Sequence, residues 1–115
     1  MARHSPRVWL VDICGKISGI RELTKHADLA AFADNWAMKR AVEHALLIVA
    51  EAAKHLPPEM KDSQPDVPWQ KIHGLGNLLR HEYRRIDPEV LWSIVTEHLD
   101  ALDRAAAALL EKLEE

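Results

Sequence analysis

The sequence predicts an all-α protein folded as an up-and-down four-helix bundle. Apolar residues recur at steps of three and four along most of the chain, and no run of alternating β-branched residues reads as a strand. Breaks in that period fall around 28–34, 57–68 and 87–88, and short connections of this kind join antiparallel neighbours. At 115 residues the chain, residues 1–115, is one domain, long enough to bury roughly two-thirds of its unfolded surface.

The first helix is expected over about 6–25, with Val8 and Trp9, Ile13, Ile17 and Ile20 on its packed side. Gly15 and Gly19 either weaken it or admit a close neighbour. A loose turn follows over 28–34, with Phe32 turned inward. The second helix, about 35–55, puts Val42, Ala45, Leu46, Val49, Ala50 and Ala53 on one face. It stops before Pro57-Pro58, because proline drives the residue ahead of it out of the helical region. Four prolines and three acids make 57–68 a polar connection rather than an interdomain linker.

The third helix is expected from Pro68, a suitable first-turn residue, to about 86. Asp87-Pro88 then starts the fourth, since an N-cap carboxylate accepts from free amides and proline already has the helical φ. That helix, about 88–113, shows Leu91, Val95, Leu99, Leu102, Leu109 and Leu113 at near-heptad spacing. The run Ala105-Ala106-Ala107-Ala108 simply favours helix.

A single cysteine, Cys14, excludes an internal disulfide. There is no charged-then-apolar leader, and no apolar run approaches the roughly 20 residues that span a bilayer. The expectation is a cytoplasmic protein with no membrane role. The net charge of −3 divides unevenly. Over 69–86, Lys71, Arg80, Arg84 and Arg85 against Glu82 give +3, whereas 87–115 sums to −6. Such a basic island is either a solvated face or a contact for a small polyanion, and is too short for a long nucleic-acid track.

The island coincides with the chemistry. At about 100° per residue, Asn77, Arg80, His81, Arg84 and Arg85 share one sector of the third helix, and Ile72, Leu75, Leu79 and Ile86 share another. An imidazole among guanidinium groups can move a proton at neutral pH beside a held phosphate. Asn77, four residues before His81, could orient that ring or is only a polar surface residue. Tyr83 falls near Ile72 and Leu79, half packed with its hydroxyl at the rim.

Elsewhere, Arg40, His44, Glu51 and His55 form a stripe on the second helix. Glu51 and His55 could share a metal, yet a tight site needs three or four ligands. Glu51 is more readily placed against the basic residues of the third helix. His4, His26, His73 and His98 form no ligand spacing, and no metal or cofactor is expected. Trp9, Trp36, Trp69 and Trp92 are assigned to core or dimer packing.

The order Trp69, Ile72, Gly74, Asn77, Leu78, His81, Tyr83, Ile86, Asp87, Val90, Trp92 resembles the C-terminal half of the HepT-like toxins, helical ribonucleases of the HEPN superfamily. Glu51-Ala52-Ala53 and Val67-Pro68-Trp69 fit the same family, and the resemblance covers roughly 10–100. It implies a HEPN-like bundle that forms a homodimer, with two copies of the motif lining a cleft. It also implies metal-independent RNA cleavage by a 2′-hydroxyl on the adjacent phosphate. Finally, it implies a toxin restrained by an MntA-like nucleotidyltransferase antitoxin, which adenylylates the tyrosine of the motif R-x-x-x-x-H-x-Y. By position His81 is the histidine and Tyr83 the tyrosine.

One residue departs from the motif: Gly76 stands where the family has arginine. Loss of one preorganised charge contact costs roughly 10²–10³ in rate. Arg80 lies one turn later and about 40° around, and its side chain leans back toward the helix N-terminus. It could fill the gap, with Arg84, Arg85 and Lys71 as further phosphate or RNA contacts. The alternative is a catalytically silent interaction protein that docks a nucleotidyltransferase.

Overall fold

A computed structural model describes residues 5–81 and 86–114, which contain helices and no strand. Helix α1 (Pro6–Thr24) begins at Ser5, whose hydroxyl accepts the Arg7 N–H at 3.2 Å. With Pro6 at the first helical position, one free donor is paired and another is absent. Leu10, Ile13, Ile17 and Ile20 are fully buried. Val8 was expected on that face but is 43% exposed. It lies about 200° around the helix from Leu10, which continues the three-and-four stepping in its place. A Cβ on Gly15 or Gly19 would meet nothing within 4 Å, so neither glycine serves a close approach.

The expected loose turn contains a short helix, α2 (Leu29–Asp34), because the Asp28 carboxylate accepts the Ala31 N–H at 2.8 Å. Phe32 is fully buried and meets Trp92 with ring centroids 5.2 Å apart. Asn35 then caps α3 (Trp36–Lys54), its side-chain oxygen accepting from Met38 N–H at 2.9 Å. Val42, Leu46, Val49, Ala50 and Ala53 of α3 are buried, as the periodicity indicates. The proline-rich connection also holds a helical turn, α4 (Pro58–Asp62), with Pro58 at its first position.

Helix α5 (Trp69–His81) is followed, after residues outside the described set, by α6 (Pro88–Ser93). The Asp87 carboxylate caps α6 by accepting the Glu89 N–H at 3.0 Å. A π-helical turn (Ile94–His98) then leads into α7 (Leu99–Leu113). The fourth expected helix is thus helical throughout but locally widened. The Thr96 hydroxyl donates to the Trp92 carbonyl at 2.9 Å, a bond that competes with the α-helical ladder. Eight residues turn about 80° beyond full circles in an α-helix. The wider turn instead lets Leu91 and Leu99, eight apart, both reach the core.

Helix α1 packs on α3 and α7, α3 also packs on α5, and α2 packs on α6. Arg21 pairs with Asp100 and, at 2.7 Å, with Asp103, while Arg7 pairs with Glu114, so α1 and α7 are also joined at their polar margins. Between α5 and α7 lies an apolar groove of about 240 Å³, with Ile72 and Leu75 on one wall and Leu99 and Leu102 on the other. Of the tryptophans, Trp9, Trp69 and Trp92 pack against the core margin, whereas Trp36 is 70% exposed. Among the described residues, no helix is long and apolar enough to cross a membrane.

Candidate functional site

The site begins with a close approach. Gly76 is buried on α5, and a Cβ added to it would stand 3.0 Å from the Ala50 Cβ of α3. This is tighter than ordinary van der Waals contact. Gly76 therefore brings the two backbones together. Any larger residue here, the family's arginine included, requires the helices to part by a few tenths of an ångström.

That approach draws Arg80 onto α3. Its Nη1 donates to Glu51 Oε2 at 2.7 Å, and its Nη2 donates to Asn77 Oδ1 at 2.9 Å. The second nitrogen lies 3.8 Å from where a Gly76 Cβ would be. The guanidinium thus reaches back over the glycine, with its orientation held from two sides. Glu51 also faces His55, whose Nε2 is 3.5 Å from Oε1, and the His55 ring stacks on Trp9 with centroids 4.4 Å apart. A chain of contacts runs from α1 through the end of α3 to α5.

Beside Arg80 opens a cleft of about 340 Å³, lined by Ala50, Lys54, Lys61, His73, Gly76, Asn77 and Arg80. Three elements meet there: the end of α3, the single turn α4, and α5. Trp69 sets their arrangement. Its indole N–H donates to the Lys61 carbonyl at 3.0 Å and to the Gln64 carbonyl at 3.1 Å, tying the start of α5 to the end of α4. Lys61 Nζ then stands 3.5 Å from His73 Nε2. Burial, and after it the charges of Lys61 and Lys54, hold the His73 pKa below the ordinary imidazole value. Among the described residues, no carboxylate lines the cleft. The arrangement can bind an anion, since three cations converge on it and, among the described residues, only Arg80 is paired with a carboxylate.

The expected site residues therefore divide. Asn77 and Arg80 come together in the cleft with Gly76. His81 is exposed, about 40° around the helix from Asn77, and is not part of the cleft lining. Lys71 lies about 180° from Arg80 and lines the apolar groove instead. Tyr83, Arg84 and Arg85 fall outside the described residues. On the α3 stripe, Glu51 meets α5 through Arg80, and Arg40 pairs with Glu43 at 3.1 Å. Glu43 is buried, which raises its pKa while Arg40 and Lys39 pull it down. Among the described residues, no group of three or more histidine, cysteine and acidic side chains could hold a metal ion. Lys54, Lys61 and His73 were not expected at the site. Their only signal in the sequence is separate basic residues on three elements whose packing has to be known first.

An all-helical domain with a cation-lined cleft at the margin of its core is the class that fold and site define. Residues 13–109 match the family described as ribonuclease HepT-like, and the chain belongs to that family. It is 33% identical to a protein of Methanocaldococcus jannaschii provisionally named as an RNase, over 90% of this chain and 95% of the other. It is 32% identical to a Thermococcus cleftensis protein named "Probable ribonuclease HepT", over 87% of this chain and 91% of that one. A third relative, provisionally named as an RNase in Caldanaerobacter subterraneus, is 28% identical over 94% of this chain and 96% of its own length. No solved structure matches the chain.

Proposed function

We propose that this member of the ribonuclease HepT-like family is a metal-independent endoribonuclease toxin, acting as a homodimer. RNA is cleaved when a 2′-hydroxyl oxygen attacks the adjacent phosphorus and the bond to the 5′-oxygen breaks, leaving a cyclic phosphate and a 5′-hydroxyl. His81 carries the proton that leaves the attacking hydroxyl and the one that the departing oxygen needs. Arg80 stabilises the charge that grows on the phosphate, with Asn77 orienting it. Arg84 and Arg85 hold the neighbouring strand, whereas Lys71, on the opposite side of α5, takes no part. An MntA-like nucleotidyltransferase restrains the toxin by modifying Tyr83.

One observation carries the reading: the Arg80 guanidinium lies back over Gly76, 3.8 Å from the missing Cβ. A cation therefore stands beside the position where the family motif has its own. A second reading rests on the partners of that same guanidinium. Glu51 and Asn77 each take one of its terminal nitrogens, which would suit a silent protein that only docks the nucleotidyltransferase.

Incubation of the purified protein with mixed RNA in EDTA separates the two. Cleavage by wild type, its loss in His81→Ala, and a roughly 10²–10³-fold drop in Arg80→Ala are expected. If Arg80→Ala cuts as fast as wild type, Arg80 does not replace the family arginine. If wild type is inert and only Gly76→Arg cuts, the silent reading is correct.

A further inference from the structure

We propose that the cleft between α3, α4 and α5 is a binding site for a phosphate monoester, held by Lys54, Lys61, Asn77 and Arg80, with His73 beside Lys61. The ligand is a terminal phosphate, such as the 5′-phosphate of a nucleotide or of an RNA end. Because the site shares Arg80 and Asn77 with the proposed cleavage site, its place in an RNA reaction rests on that reading. The binding itself does not.

Three features lead to this ligand. The first is charge. Lys54, Lys61 and Arg80 bring three cations to the cleft, and among the described residues the carboxylate paired with one of them is Glu51, bound to Arg80 from outside the lining. The site therefore carries a net charge of about +2 with His73 neutral, which matches a monoester of about −1.5 to −2 at neutral pH better than a singly charged diester.

The second feature is donor geometry. Asn77 accepts from Arg80 through its oxygen, leaving the amide NH₂ to donate. Lys61 Nζ and His73 Nε2 stand 3.5 Å apart at the other end of the cleft. With His73 neutral, its Nε2 faces the Lys61 ammonium as an acceptor and orients it, so the donors offered to a tetrahedral phosphoryl group are the Asn77 amide and the remaining N–H groups of Lys54, Lys61 and Arg80.

The third feature is that the donors are placed in advance. Trp69 fastens α4 to the start of α5 through two hydrogen bonds, and Gly76 seats α5 on α3. Lys61 and His73, 12 residues apart, meet in consequence. The depressed pKa of His73 has the same origin, since burial and two neighbouring ammonium groups act on it in a cleft whose described lining has no acid.

The test is an NMR titration of the full chain, following the His73 ring and the backbone amides of α5. Inorganic phosphate, 5′-AMP and adenosine are added separately at constant ionic strength, because salt screening alone weakens such contacts. Saturable shifts with phosphate and 5′-AMP in the millimolar range or below, none with adenosine, and at least tenfold weaker binding in Lys54→Gln/Lys61→Gln are expected. Circular dichroism checks that this variant is folded. Absence of saturation, equal response to adenosine, or unchanged affinity in the folded double variant would overturn the site.

A second arm compares one RNA oligonucleotide with a 5′-phosphate and with a 5′-hydroxyl. Tighter binding of the phosphorylated form supports the monoester. Equal binding that the lysine variant weakens in both assigns the cleft to an internal phosphodiester and overturns the monoester assignment. Since no arm reads cleavage, a protein that binds phosphate without cutting RNA would refute the nuclease reading alone.

Discussion

The two margins of α3 are built differently. On one side, α1 and α7 close a continuous core of Leu10, Ile13, Ile17, Val42, Leu46, Leu102, Ala106 and Leu109, and the ion pairs of Arg21 run along its edge. On the other side, α5 is seated by Gly76 on Ala50, by Leu79, and by the polar bridge from Arg80 to Glu51. Stability is concentrated where burial is dense. The polar groups of the proposed site stand where burial is thin, because exposed charge costs little to keep solvated. The helix carrying the family motif is thus an attachment to the core rather than a part of its centre.

The sharpest way to break this contrast is to cut each side in turn. Ile17→Ala should cost about 2–5 kcal/mol, because a fully buried side chain leaves a cavity among rigid neighbours. Urea denaturation measures it, and a loss under about 1 kcal/mol would mean that the α1 side is not the stable one. Gly76→Ala comes next. A helix gains about 1 kcal/mol from alanine over glycine, but the contact with Ala50 has to give, and overpacking costs about 1–3 kcal/mol. A net loss of about 1 kcal/mol is expected. Combination with Ala50→Gly should be better than the sum of the two single changes, and strict additivity would disprove the close approach.

Arg80→Ala should change stability by under about 1 kcal/mol, since its ion pair with Glu51 is one-third to nearly half exposed. Cleavage should fall far more than the melting temperature does. A large drop in both would make Arg80 structural. The smallest effect concerns pH. His73 titrates lower in the folded protein than in the unfolded chain. Below an unfolded value near 6.5, the unfolded state therefore binds more protons, and stability falls as pH falls. His73→Gln should flatten that part of the stability profile between roughly pH 7 and 5, and an unchanged slope would remove His73 as its source.

Much of this was legible in the residues themselves. The capping of α6 by Asp87, the inward Phe32 and the buried face of α3 follow from periodicity and local hydrogen bonding, which depend on a few neighbours, while the meeting of Glu51 with α5 was expected from charge alone. Other features were not. Val8 and Leu10 compete for one face of α1 and both are apolar, so only the partner helices decide between them. The π turn arises where the Thr96 hydroxyl and the core compete for the backbone of one long helix. Gly76 reads in the sequence as a missing arginine, whereas its packing shows a second role, because only a residue without Cβ lets α5 sit so close to Ala50.

By itself, then, the sequence determined the all-helical class, the family, and the helix that carries Asn77, Arg80 and His81, since each of these is encoded by residues near one another along the chain. Tertiary structure alone decided that Arg80 lies over Gly76 rather than in open solvent, and that Lys54, Lys61 and His73 line one cleft. Those residues belong to three separate elements, and the distances between them are set by the Trp69 hydrogen bonds and the Gly76–Ala50 contact.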